Sequence, residues 1–344
     1  MPKSVIFWLC CLALFLAGGR SYLLQAQNLV EPLAVQDSSG HLIRGSFDWT
    51  DGVLTVYGEG MAPQEVSHPA QRRLMALRAA KAEAYRNLLE VVGQVQVDSR
   101  TTVDMARLSS DTVRLRITGL VHGAQIVPGS QEEEGDLFRL ALRLHLLGEF
   151  AETVLPAALS PADTSPPEPL PDSLPAADSL LLFYPARPYT GLIIDVRGLD
   201  LRPSMAPRIL TPDQRVLYSA PSADQTLATR MGLVGYATDI ERAATSDRLG
   251  GKQAYPLIIQ AEGVAGLYRA DAVIRNDDAV RVRMADAESN FLSACRVVFV
   301  LGPAPSPLDS SAAALVDSIL LMEEKPDSLY LEEGDELDLP GETE

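Results

Sequence analysis

Apolar and polar residues along this chain fall into blocks of different period. Val5 to Ala17 is an almost unbroken apolar run, Val53 to Tyr57 alternates, and between Pro69 and Val92 the apolar positions recur every three, four or seven residues. Alternation predicts a half-buried strand and the longer spacing a helix with one apolar side. That helix opens at Pro69, with Ser67 or His68 as its cap, and stops at Gly93. Ala70, Leu74, Leu77, Ala84, Leu88 and Val91 form its expected buried stripe, and Arg72, Arg73, Arg86 and Glu90 fall largely off it, as a solvated face. Gly58-Glu59-Gly60, directly after the alternating segment, reads as a turn.

The pattern continues with a strand at Val95 to Val97 and a second helix within Met105 to Thr118, with Ser110 or Asp111 as an internal start. Leu120 to Val127 and Leu137 to Leu147 alternate as two strands around the turn Pro128 to Asp136. Beyond residue 189, strands are expected at Leu192 to Val196, Val216 to Tyr218, Leu257 to Glu262, Ala270 to Ile274 and Arg296 to Leu301. Helices are expected at Ala223 to Met231, Asp239 to Thr245 and Asp278 to Leu292, the last capped by Asn276 or Asp277. The class is α+β: two small α+β sandwich domains, 28–150 and 189–302, joined by a Pro-rich linker, 151–188, with a disordered acidic C-terminal tail, 303–344.

The linker and tail boundaries come from composition. Nine prolines between Pro156 and Pro188 sit among Ala, Ser and Asp, which favours extended chain. The tail has one apolar stretch, Ala312 to Met322, and then ten acids and a single Lys, too little apolar surface to fold alone. Linker and tail share Pro-Asp-Ser-Leu, at Pro171 and at Pro326, a coincidence of similar compositions. The charge of −17 is therefore uneven: 28–150 and the linker carry −4 each, 189–302 is neutral and the tail carries −11. Acidity concentrated in linker and tail serves solubility and argues against nucleic-acid binding.

Lys3, the apolar run and Arg20 read as a secretory signal peptide over residues 1–26, cleaved after Ala26 in preference to Gly19. The run is shorter than a bilayer-spanning helix, so no transmembrane segment is expected after cleavage. Cys10 and Cys11 leave with the peptide; the mature chain keeps only Cys295, a small buried hydrophobe by its neighbours, and no internal disulfide can form.

A search for chemistry returns little. His41, His68, His122 and His145 have no zinc-like spacing, and no nucleophile elbow, metalloprotease helix or phosphate loop is present. Gly58-x-Gly60 is followed by Pro63 where a dinucleotide fingerprint needs Gly. The acidic clusters at Glu132 to Asp136, Asn276 to Asp278 and Glu332 to Asp338 lack the alternation of a calcium loop. No catalytic residue, cofactor or metal is expected. Charged residues directly after a strand are the remaining candidates: Asp195, Arg197, Asp200 and Arg202 either bind a polar ligand such as a cell-wall glycan fragment or pair with each other to hold their loop.

Gly58-Glu59-Gly60, the run Ala79 to Glu90, Gly93-Gln94-Val95, Thr101-Thr102-Val103 and Gly119 to Ala124 resemble the small outer-membrane lipoprotein domain of the LPP-twenty type, which is related to the N-terminal domain of the flagellar assembly protein FlgT. The resemblance covers about residues 53–147. Thr190 to Asp195 and Arg197-Gly198-Leu199 look like the segment that follows this domain in multidomain relatives. It implies a non-enzymatic, exported envelope protein, periplasmic or outer-membrane-associated, acting as scaffold or assembly factor for an outer-membrane or flagellar structure, with envelope proteins as partners. The pattern departs in one place: Leu16-Ala17-Gly18 is followed by Gly19 where a lipoprotein has its acylated Cys. The alternative function is a glycan-binding module using the loop near Arg197 and Arg202.

Overall fold

A computed structural model of the protein describes residues 29–36, 42–158 and 187–302, all within one compact unit. The expected signal peptide, the acidic tail and most of the Pro-rich linker lie outside the described residues. The class is mixed α+β, in two halves.

In the first half, β1 (Val30–Gln36), β2 (Leu42–Asp48), β3 (Val53–Met61), β4 (Gln125–Ile126), β5 (Glu132–Glu134) and β6 (Leu137–His145) form an antiparallel sheet of order β1-β2-β3-β6-β4, with β5 also on β6. Helix α1 (Pro69–Gly93) lies across it, with Pro69 in its first turn and His68 as the extended cap residue. Gly58 and Gly60 are not a turn: they sit inside β3, on its inward side with Leu54 and Val56. A Cβ added at Gly58 would lie 2.4 Å from the Ala80 carbonyl oxygen, and one at Gly60 2.1 Å from the Ala80 nitrogen. The glycines therefore let helix backbone rest directly on strand backbone. This contact also shifts the helix's buried line, which runs through Ala76, Ala80, Ala84, Leu88 and Val91 and leaves Ala70 and Leu74 exposed. Small residues win the N-terminal half of the stripe because only they fit against glycine. Arg72 and Arg73 pair with Asp136 and Glu133 of the β5-β6 hairpin.

The single helix expected in Met105 to Thr118 is two, α2 (Val103–Ser109) and α3 (Asp111–His122). Ser110 is extended and its hydroxyl accepts from Val113 N at 3.4 Å, so it ends one helix and caps the next. Helix α3 absorbs the start of the strand expected at Leu120 to Val127: Ile117 and Val121, four apart, are its buried positions. A short apolar run fits either period, and here the helical one holds. The expected strand at Val95 to Val97 is reduced to a bridge between Gln96 and Thr102. Helix α4 (Glu149–Ala158) runs on past residue 150, burying Phe150, Ala151, Val154 and Leu155. Pro156 lies inside it near the C-terminal end, where it has no N–H to donate to the Glu152 carbonyl.

The second half has two sheets. β7 (Gly191–Asp195), β10 (Gly235–Ala237), β11 (Pro256–Gln260) and β14 (Val297–Val300) pair in parallel in the order β10-β14-β7-β11. β8 (Ile209–Leu210), β9 (Val216–Tyr218), β12 (Gly263–Ala265) and β13 (Asp271–Val273) form the other, in the order β12-β13-β8-β9. Leu192, Ile193 and Ile194 are all fully buried, as a central parallel strand covered on both faces requires. One face meets a small cluster with Ala243 of α6 (Ile240–Thr245), and the other joins the main core. The second half also holds α5 (Gln225–Met231) and α7 (Asn276–Ser289). Helix α7 begins at Asn276 itself, so its cap position is Arg275, without a side-chain cap bond, rather than Asn276 or Asp277. Asp277 and Asp278 then lie in its first turn, where negative charge is favourable.

Candidate functional site

The four charged residues singled out in the sequence lie at the carboxyl end of β7, the edge where open parallel sheets bind ligands. Two of the four, Asp195 and Arg197, pair with each other. Arg197 Nε and Nη2 donate to the two oxygens of Asp195, each at 2.8 Å, and Arg197 N adds a bond at 3.2 Å. The guanidinium holds the Asp195 carboxyl below its ordinary pKa, chiefly through these hydrogen bonds. Asp200 does not meet Arg202. It faces Arg269, whose Nε lies 3.4 Å from Asp200 Oδ2 and donates to Asp200 O at 3.0 Å. Arg202 is tied by its backbone N to Arg269 O at 3.0 Å, and its side chain is exposed. The mutual pairing expected among the four is seen for Asp195 and Arg197 alone; Gly198, at φ 79°, turns the chain, and the Asp195–Arg197 and Asp200–Arg269 pairs brace it.

A second constellation, absent from the sequence reading, joins the halves. Asp271 is fully buried; its Oδ1 accepts from Arg208 N at 2.9 Å, and its Oδ2 from Arg208 Nη2 at 2.7 Å and Nε at 3.1 Å. The same Nη2 donates to Ser99 Oγ of the first half at 3.1 Å. Around this lock, Met205 N and Ala206 N donate to Gln96 O and Val97 O, and Tyr268 N to Ser99 O. Also across the seam, Phe47, Trp49, Tyr236 and Phe299 form a chain of ring contacts, with Trp49 and Tyr236 5.7 Å apart. Tyr236 Oη donates to Ser204 O at 2.8 Å and accepts from Ser204 N at 2.9 Å. The main hydrophobic core runs through both halves without interruption.

Two buried groups reinforce the second half. Arg248 donates to the Gly232 and Cys295 carbonyls at 3.0 and 2.7 Å and also to Met231 O, so it caps the C-terminus of α5. Burial pulls its pKa down. Cys295 is fully buried, and burial pushes its thiol up, which keeps it protonated and inert. Among the described residues no three His, Cys, Asp or Glu side chains are grouped to hold a metal, and no helix is long and apolar enough to cross a membrane.

Residues 191–303 match a family model described as the second domain of Treponema pallidum Tp0624. The match begins at the first residue of β7 and takes in both sheets of the second half, the loop at Asp195 and the Arg208–Asp271 pair. No curated protein matches the chain.

Proposed function

We propose that the protein is an exported, non-enzymatic component of the cell envelope that serves as a scaffold or assembly factor for an outer-membrane or flagellar structure, held in place by protein contacts. The observation that carries this reading is the seam: two α+β halves fixed to each other by a buried Arg–Asp–Ser lock, backbone bonds and aromatic packing. A body fixed in this way presents its surfaces at constant spacing, which is what a scaffold supplies and a hinged binding module does not. The signal-like start of the chain and the likeness of residues 53–147 to the LPP-twenty type supply the envelope setting. Four large apolar side chains, Met105, Leu108, Leu115 and Leu267, stand 48–87% exposed on α2, α3 and the turn before β13, surface that protein partners would cover.

The test is envelope fractionation with crosslinking in intact cells. The reading expects the mature chain in a large, detergent-sensitive complex that sediments with the outer membrane. Recovery as a freely soluble monomer from every fraction sinks it.

A further inference from the structure

A different face of the first half carries a groove of about 910 Å³ that neither the seam nor the β7 loop uses. It opens because β2 follows β3 only from Asp48 back to Gly45, opposite Val53 to Val56, while β3 continues to Met61. Past that point, α1 fills the gap from below. Asn87 Nδ2 donates to Tyr57 O at 2.9 Å, and Glu83 Oε2 accepts from Glu59 N at 3.2 Å. Both side chains reach the strand because Gly58 and Gly60 bring helix and sheet into backbone contact.

Two outward groups of the β3 edge are thereby taken, which blocks the addition of a peptide strand at this point. Recognition falls to the side chains. Tyr57 stands 50% exposed. Around it are Arg44, Glu59, Glu83, Asn87 and Arg139, planar polar groups, several held in place by their own bonds. Arg139 is fixed by Glu59 at 2.9 Å and Glu134 at 3.1 Å. Two guanidiniums and three carboxylates line the groove, Glu132 being the third, so it has no strong field of either sign and does not suit a polyanion. An aromatic ring with an apolar face, ringed by fixed donors and acceptors and enclosing a volume within the range of small-ligand sites, fits a ligand with both an apolar C–H face and many hydroxyls. We propose that this groove binds a neutral oligosaccharide, with one sugar ring on Tyr57 and its hydroxyls shared among the surrounding carboxylates, guanidiniums and the Asn87 amide. The site is independent of the scaffold role and of the loop at Arg197.

The experiment uses the full mature chain and two probes, triacetylchitotriose and maltotriose, in saturation-transfer NMR with calorimetric titration. At least one trisaccharide is expected to bind; Tyr57→Ala should weaken it about tenfold, the loss of one stacking contact. Tyr57→Phe, which keeps the ring, and Arg202→Ala, at the other loop, should leave binding unchanged. Tyr57 is half exposed, so an unaltered melting curve for Tyr57→Ala serves as the folding control. Failure of both sugars, equal binding by Tyr57→Ala, or Tyr57-dependent binding of an extended peptide in place of sugar each overturns the proposal.

Discussion

The same chemical unit, an aspartate gripped by an arginine through two oxygens, appears in two settings in this molecule. Asp271 and Arg208 are 0% and 17% exposed at the seam, whereas Asp195 and Arg197 are 14% and 47% exposed at the rim of the parallel sheet. Geometry barely separates them: the shortest contacts are 2.7 and 2.8 Å. Their surroundings do. At the rim, water competes for both partners and returns to them when the pair opens. At the seam, Asp271 is fully enclosed, so opening the pair strands its charge away from water. Burial, not bond length, decides which pair holds structure together.

Removing one partner of the buried pair should have the largest effect. Asp271→Ala leaves the Arg208 guanidinium, 17% exposed, without the buried carboxylate that accepts from its Nε and Nη2, and should cost about 3–5 kcal/mol. The measurement is the urea midpoint of unfolding, with the slope unchanged. Replacing both residues together, Arg208→Met with Asp271→Leu, should recover most of that loss, because it is the orphaned charge that costs. If the double variant is as unstable as the single one, shape rather than charge governs the seam.

Gly60→Ala sharpens the comparison from a purely steric side. The new Cβ would press on Ala80 backbone, which cannot rotate away, and about 1–3 kcal/mol should be lost. Because one core runs through both halves, the loss should lower a single cooperative melt, although residue 60 is far from the seam in sequence. Two separate transitions in Gly60→Ala would show that the halves unfold independently and that the seam is weaker than its contacts suggest.

These sites also mark how far the sequence could be read. The long helix, the two α+β blocks and five strands of the second half, β7, β9, β11, β13 and β14, followed from the apolar pattern; β8, β10 and β12, two or three residues each, were not expected, because so short a stretch holds no period. The β3 glycines were misread because Gly-x-Gly after an alternating segment has the same local signature whether the chain turns or a helix lies against it; only the partner, Ala80, distinguishes the two. Helix α4 was hidden by Pro156, whose company of later prolines outweighed the Phe150, Val154 and Leu155 pattern in a compositional reading. The parallel order of the β7 sheet is a long-range property that no local window holds. At the candidate site, charged residues after β7 were visible because they are close in sequence. Arg208 and Asp271 are 63 residues apart and Arg208 and Ser99 are 109 apart, so nothing local announced the lock.

The smallest expected effect is at the rim, and its pH dependence is what identifies it. Arg197 lowers the Asp195 pKa in the folded protein, so the pair stabilises the fold only where Asp195 is ionised. That contribution is fully present above the unfolded carboxylate pKa of about 3.9 and disappears as pH falls through the lower folded value. Asp195→Asn should therefore lower the melting midpoint by about 2 °C or less between pH 5 and 8. The gap to the unaltered protein should close as the pH falls below the lowered folded pKa, where the native aspartate is protonated as well. Other carboxylates held low, such as Asp136 and Asp213, titrate identically in both proteins and cancel in the difference. A gap that persists at low pH would mean that the loss does not come from the Asp195 charge, and the rim pair would then differ from the seam pair in kind rather than in degree.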